Sequence, residues 1–171
     1  MSLDLIKQEL EEKHMDFTHY VTKLTQQEYG YSFENKWNSG QHLDHIIKSV
    51  AILSKAFGYP KWVLQYKFGK ANRASKTKEE LVKRYLEKLK TAKPTPSRFI
   101  PFNEKQQSLK KLEKEVIKLL KRVNKYTDKK MDTYIIPHPL LGYLTIREML
   151  YFTSYHVEHH QELIQKALKN K

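Results

Sequence analysis

Apolar residues recur at intervals of three and four along most of the chain and almost nowhere alternate with period two, which predicts helices rather than strands. A first helix is expected from about Leu3 to Gln26, with Leu3, Ile6, Leu10, Phe17, Val21 and Leu24 as a sparse inward stripe. The polar stretch QEYGYSFENKWN follows it. A second helix opens at Ser39, read as its N-cap, and runs to a stop at Gly58 and Pro60. Its apolar stripe is Leu43, Ile46, Val50, Leu53 and Phe57, bordered by His42, His45, Ser49 and Ile52.

Residues 59–76, YPKWVLQYKFGKANRASK, read as a long connection with aromatic content, a kind of loop that is usually functional or folded over its domain. Thr77 and Glu80 form a capping box that starts a third helix, ending near Lys90. Pro94, Pro96 and Pro101 keep the next stretch extended, and Asn103 is read as the cap of a fourth helix carrying Leu109, Leu112, Val116, Leu119, Leu120 and Val123. The proline-bearing stretch IIPHPLLGYL reads as a turn that aims a fifth helix. A second capping box, Thr145 with Glu148, starts that helix, which continues to about Leu168. The fold class is all-α, and 171 residues without internal repeat or low-complexity segment read as a single domain spanning 1–171.

Composition narrows the chemistry. Hydrophobic residues make up 39% and charged ones 30%, as in a soluble globular chain. No apolar run approaches the roughly 18 residues of a membrane span, and the first residues are charged and amphipathic, so a cytoplasmic protein without signal or membrane anchor is expected. The chain has no cysteine, which excludes disulfides, thiolate metal ligands and a thiol nucleophile of its own.

The net charge of +13 invites a nucleic-acid reading, but its distribution argues against it. Five of the 32 basic residues are arginine, the residue that makes most bidentate contacts to phosphates and bases. The lysines alternate with glutamates on helical faces, as on solvated surfaces. Walker-type glycine loops and nucleophile elbows are absent, which removes nucleotide hydrolysis and serine hydrolase chemistry.

Three histidines fall within five positions of the fifth helix. Its inward stripe can be written Met149, Thr153, His156, His160, Leu163 and Ala167, so two successive inward places are histidine. Side chains at i and i+4 lie on one face a turn apart and can share a metal. His159 competes as a ligand from the neighbouring direction, and Glu158 points roughly 200° round the helix from His156. Val157 directly follows His156 where a zinc protease would carry its glutamate base, which removes that alternative. A third ligand must come from elsewhere, and His45 or His42 on the second helix is the natural source. Three imidazoles with open coordination positions make a catalytic rather than a structural site for zinc, nickel, iron or copper.

Other polar residues read more simply. His14, His19 and His138 are expected on the surface, and Tyr151 and Tyr155 as packing residues. Lys70, Arg73 and Lys76 in the long connection are candidates for binding an anionic substrate. Asp44, Glu158 and Glu162 are the carboxylates near the histidines, none of them placed as a base, and no catalytic residue is assigned.

The tryptophan eight residues before His45 in WNSGQHLDH, together with HVEHH, resembles the DinB-like (DinB/YfiT) superfamily over nearly the whole chain. The resemblance implies an up-and-down four-helix bundle with a long connection carrying an extra helix or loop, and a homodimer. Its metal triad, carried over by motif, falls on His45, His156 and His160, holding one divalent ion, with zinc or nickel foremost; His42 and His159 are additional. It further implies a small-molecule substrate and a metal-dependent transferase that activates a low-molecular-weight thiol. The alternatives are a hydrolase using metal-bound hydroxide and a non-enzymatic helical binding protein.

Overall fold

A computed structural model of the chain describes residues 1–34, 36–92 and 105–171. Four long helices dominate it: α1 (Leu3–Lys23), α3 (Ser39–Phe57), α6 (Lys105–Val123) and α8 (Ile146–Leu168). Shorter elements lie between them: α2 (Gln26–Gly30), α4 (Lys61–Phe68), α5 (Lys78–Leu89), α7 (Asp128–Thr133) and the strands β1 (Ile135–His138) and β2 (Gly142–Thr145). α1 and α3 each pack against both α6 and α8, closing a ring of four, while α5 and α7 lie against the outside of α8.

The apolar stripes explain the ring. Ile6, Leu10, Phe17 and Val21 of α1, the predicted stripe of α3, and Leu109, Leu112, Val116, Leu119 and Val123 of α6 are all buried in one core. Burial at about 25 cal/mol per Å2 of apolar surface is the main force holding such a bundle together. Arg122 of α6 ties the seam to α3 by donating to the Ser54 carbonyl and, at 3.1 Å, to its hydroxyl.

Local chemistry sets the helix ends, and the structure revises several expected boundaries. The first predicted helix is two, because Thr25 caps α2 with a full capping box to Glu28 and breaks the path after Lys23. α3 is capped by Asn38 rather than Ser39: the Asn38 side chain accepts from the Gln41 amide, and Gln41 reaches back. The long connection contains α4, placed between Pro60 and Gly69. The capping boxes at Thr77 and Thr145 are present as expected. The proline-bearing turn before α8 is an antiparallel hairpin pairing Ile135 with Thr145 and His138 with Gly142, whose φ of +74° suits glycine. The expected extended stretch at Pro94, Pro96 and Pro101 and the Asn103 cap lie outside the described residues.

The connection that was read as a loop is firmly attached. Lys70 bridges Tyr134, the Ala71 amide donates to the Thr133 carbonyl, and the Ser75 hydroxyl donates to Asp132 Oδ1 at 2.6 Å. Arg73 makes a bidentate pair with Glu148, which has no exposed side-chain surface and also accepts from the Lys76 and Thr145 amides. The second capping box is therefore also the anchor of a segment about 70 residues upstream. No helix among the described residues is long and apolar enough to cross a membrane.

Candidate metal centre

Residues 146–154, the start of α8, are buried on every side, since α1, α5, α7 and the hairpin all pack around this helix. His156 and His160 follow one turn apart, 7% and 6% exposed, on the side that meets α3. Further along, Ile164 rather than the expected Leu163 is the buried residue, so the inward stripe drifts as a 3.6-residue repeat requires.

α3 brings His45 to this pair. His45 Nε2 stands 3.1 Å from His156 Nε2, and His160 Nε2 stands 3.1 Å from the same atom. Each of the three offers a nitrogen within 4.8 Å of the others. In a tetrahedral site with metal–nitrogen bonds of about 2.0–2.1 Å, adjacent ligand nitrogens stand about 3.3–3.4 Å apart. The two spacings to His156 are within a few tenths of an ångström of that value, so the three residues could hold one ion.

Electrostatics favour the same use. Burial pushes His45 down to about 4, with Lys48 adding to the effect and Asp44 opposing it. His156 and His160 are held well below the usual imidazole value by burial and then by neighbouring imidazoles. At neutral pH all three are uncharged and keep a lone pair, the form that binds a metal without first releasing a proton.

The histidines left open by the sequence take different places. His42 lies on the far side of His160, its Nδ1 2.7 Å from His160 Nδ1. Burial holds it at about 3. His159 is half-buried and turned toward α5 and its own helix, 5.9 Å from the rings of Tyr85 and Tyr155.

Aromatic side chains wall the cluster. Trp37, just before α3, lies 5.2 Å from His45, 5.5 Å from His42 and stacks on His160 at 6.2 Å. Phe152 stacks on His156 at 4.8 Å, and Tyr85 of α5 meets it edge-on at 6.4 Å. Tyr85 was missed by sequence reasoning, although its four-residue spacing from Leu81 marks it as inward-facing. Burial raises its hydroxyl to about 12.

Several expectations are corrected here. His14 is not on the surface: it is 2% exposed, and its Nδ1 lies 2.7 Å from the Leu10 carbonyl that it donates to. Burial brings it to about 4. His138 is half-buried, its Nδ1 accepting from the Leu140 and Leu141 amides, which places its proton on Nε2. His19 is exposed as expected. Arg73, a candidate for binding an anionic substrate, is engaged in the bidentate pair with Glu148.

The carboxylates near the histidines have other engagements. Asp44 is buried against Lys48 at 2.5 Å, Glu158 pairs with Lys13 of α1, and Glu162 is exposed. A separate surface pocket of about 600 Å3 between the N-terminus, the start of α5 and Arg147 is lined by none of the histidines.

Comparison with known proteins agrees with this architecture. Residues 9–164 match the model of the DinB superfamily. Among solved structures, TT2238, a four-helix bundle protein, is similar with a TM-score of 0.63 and 16% identity, over 96% of this chain and 99% of that one. A conserved protein of locus from Enterococcus faecalis is similar with a TM-score of 0.64 and 12% identity, over 100% of this chain and 99% of that one. Curated proteins gave no match.

Proposed function

Because the chain belongs to the DinB superfamily, we propose that it is a metal-dependent transferase in which His45, His156 and His160 hold one divalent ion, zinc or nickel, and a low-molecular-weight thiol is the cosubstrate. The observation that carries the metal part is the convergence of the Nε2 atoms of His45 and His160, one partly buried and one buried, each at 3.1 Å from the buried His156 Nε2. A divalent ion there would act as a Lewis acid, lowering the pKa of a thiol or a water at an open position.

The chain's own residues supply the rest. Three neutral imidazoles add no negative charge, so the ion would keep its full positive charge toward a substrate. Trp37, Phe152 and Tyr85 restrict water around the cluster, which strengthens electrostatic interactions inside it. No cysteine is available as a nucleophile, so any thiolate in the reaction would come from a cosubstrate.

Metal content tests the reading, measured by inductively coupled plasma mass spectrometry on untagged wild type and His160→Ala. About one ion per chain in wild type, lost in the variant, is the expected result. No uptake by wild type after soaking in zinc or nickel would sink it. Turnover of an electrophile panel with and without added thiol then separates transfer from hydrolysis, since hydrolysis proceeds without the thiol. The homodimer that family membership implies is read independently by light scattering.

A further inference from the structure

His42 is 6% exposed and sits against two partners: the Trp37 ring at 5.5 Å and His160, Nδ1 to Nδ1, at 2.7 Å. The second contact constrains where protons can be. Two imidazole nitrogens that close need one proton between them, carried by one and accepted by the other. Both arrangements are consistent with the heavy-atom positions, and they differ in what His160 can do.

In the first arrangement His42 Nδ1 donates to His160 Nδ1. The His160 proton is then on Nε2 and points at His156 Nε2, 3.1 Å away. This satisfies the two histidines without an ion, but it blocks the nitrogen that would bind one. In the second arrangement His160 Nδ1 donates to His42 Nδ1. His160 Nε2 then presents its lone pair to the space shared with His45 and His156.

We propose that His42 is a positioning residue for the metal centre: as the acceptor for His160 Nδ1–H it selects the tautomer of His160 whose Nε2 lone pair faces His45 and His156. The inference rests on the metal reading of those three residues and goes beyond it in giving His42 a role outside the ligand set. It also accounts for a polar residue on a face that the neighbouring Leu43 and Ile46 fill with apolar groups. Metal-bound histidines are commonly oriented by a carboxylate or a carbonyl, both acceptors only. An imidazole in that place is neutral and can reverse the hydrogen bond: His160 then carries its proton on Nδ1 instead of Nε2, and His42 carries its own on Nε2 instead of Nδ1, so both rings change tautomer with no net change in charge.

The test uses the full chain and zinc alone. His42→Phe keeps an aromatic ring against Trp37 but has no acceptor, whereas His42→Asn restores an acceptor oxygen. Zinc affinity is measured by competition with a chromophoric chelator, and the His160 tautomer by 15N NMR of histidine-labelled protein with and without zinc. Expected results are a 10- to 100-fold weaker affinity for His42→Phe and recovery of most of that loss in His42→Asn. In zinc-loaded wild type the His160 proton should sit on Nδ1.

Equal zinc affinity in wild type and His42→Phe would overturn the positioning role and leave the metal reading standing. Equal losses in His42→Phe and His42→Asn would overturn it as well, since packing and not acceptance would then be at issue. Absence of zinc binding by wild type would instead remove the metal reading and the positioning role with it.

Discussion

Replacing Glu148 should destabilise the protein by about 3–5 kcal/mol, and the hydrogen bonds around it show why. Its carboxylate, with no exposed surface, accepts from Arg73 Nη1 at 2.5 Å, Arg73 Nη2 at 2.8 Å, the Lys76 amide at 2.7 Å and the Thr145 amide at 2.8 Å. Glu148→Ala removes half of a capping box, worth about 1 kcal/mol. Outside the box it also leaves the partly buried Lys76 amide without this acceptor, at about 1–3 kcal/mol. Arg73 is 35% exposed and can turn to water, so its share falls below the 3–5 kcal/mol of a fully buried broken pair. Glu148→Gln should cost less, about 2 kcal/mol, because its oxygen still serves one amide while its NH2 faces a donor. Burial alone would raise the Glu148 carboxyl, but Arg73 and the two amides outweigh it and hold the group below its usual value of 4.5. The unfolded chain then binds more protons on the acid side, so this stabilisation is present above that value and lost as pH falls through the folded one. Urea unfolding of the three proteins, followed by circular dichroism at pH 7, checks the magnitudes. A loss under about 1 kcal/mol in Glu148→Ala, or a glutamine variant worse than the alanine one, would refute the account.

Three more outcomes are expected. His14, held at about 4 against 6.5 by burial, binds a proton more readily when unfolded, so its contribution is complete above pH 6.5 and lost toward pH 4, up to about 3 kcal/mol; His14→Leu should flatten the stability profile there, and parallel profiles would contradict this. Gly69, at φ 81° and ψ −162°, ends α4 in a region nearly confined to glycine, so Gly69→Ala should cost about 1–3 kcal/mol in urea unfolding even though a Cβ meets nothing within 4 Å; an unchanged midpoint would argue that the connection relaxes. His156→Leu should be no less stable than wild type in chelator, yet should miss the roughly 2.7 kcal/mol that wild type gains at free zinc 100 times its Kd; an equal zinc-induced shift in thermal melting of the two proteins would count against His156 as a ligand.

The long helices were legible because their signals are local. Apolar spacing located the cores of α1, α3, α6 and α8, and S/T-x-x-E placed the starts of α5 and α8. The Asn38 cap was missed by one residue although N-x-x-Q carries the same chemistry with Gln41. His14 was legible in principle. It fills the gap between Leu10 and Phe17 at a spacing of four and three, where a buried residue belongs, but its polarity suggested the surface. α4, α7 and the four-residue strands are too short to show a period against their flanking prolines and turns. Contacts such as Arg73 with Glu148, or His42 with His160, depend on helix rotation and loop path. Spacing could bring His42 and His45 to the seam, but not say which of them would face His156 and which would lie behind His160.

The placement of the cluster has an energetic meaning. Imidazoles in a bundle interior lose hydration that only hydrogen bonds can offset, whereas leucines at the same positions would gain from burial. The α3–α8 seam holds His42, His45, His156 and His160 together, beside apolar residues that pack without difficulty. In the metal-free state the short contacts at His156 Nε2 cannot all be good hydrogen bonds, because one nitrogen faces two others and carries either one proton or one lone pair. A site that is under-satisfied by its own groups is stabilised by whatever accepts three lone pairs at once, and a divalent cation does so where a water or a fourth side chain does not. The geometry that serves hydrogen bonding poorly is thus also one that could hold a metal ion. The site's stability should therefore depend on metal supply.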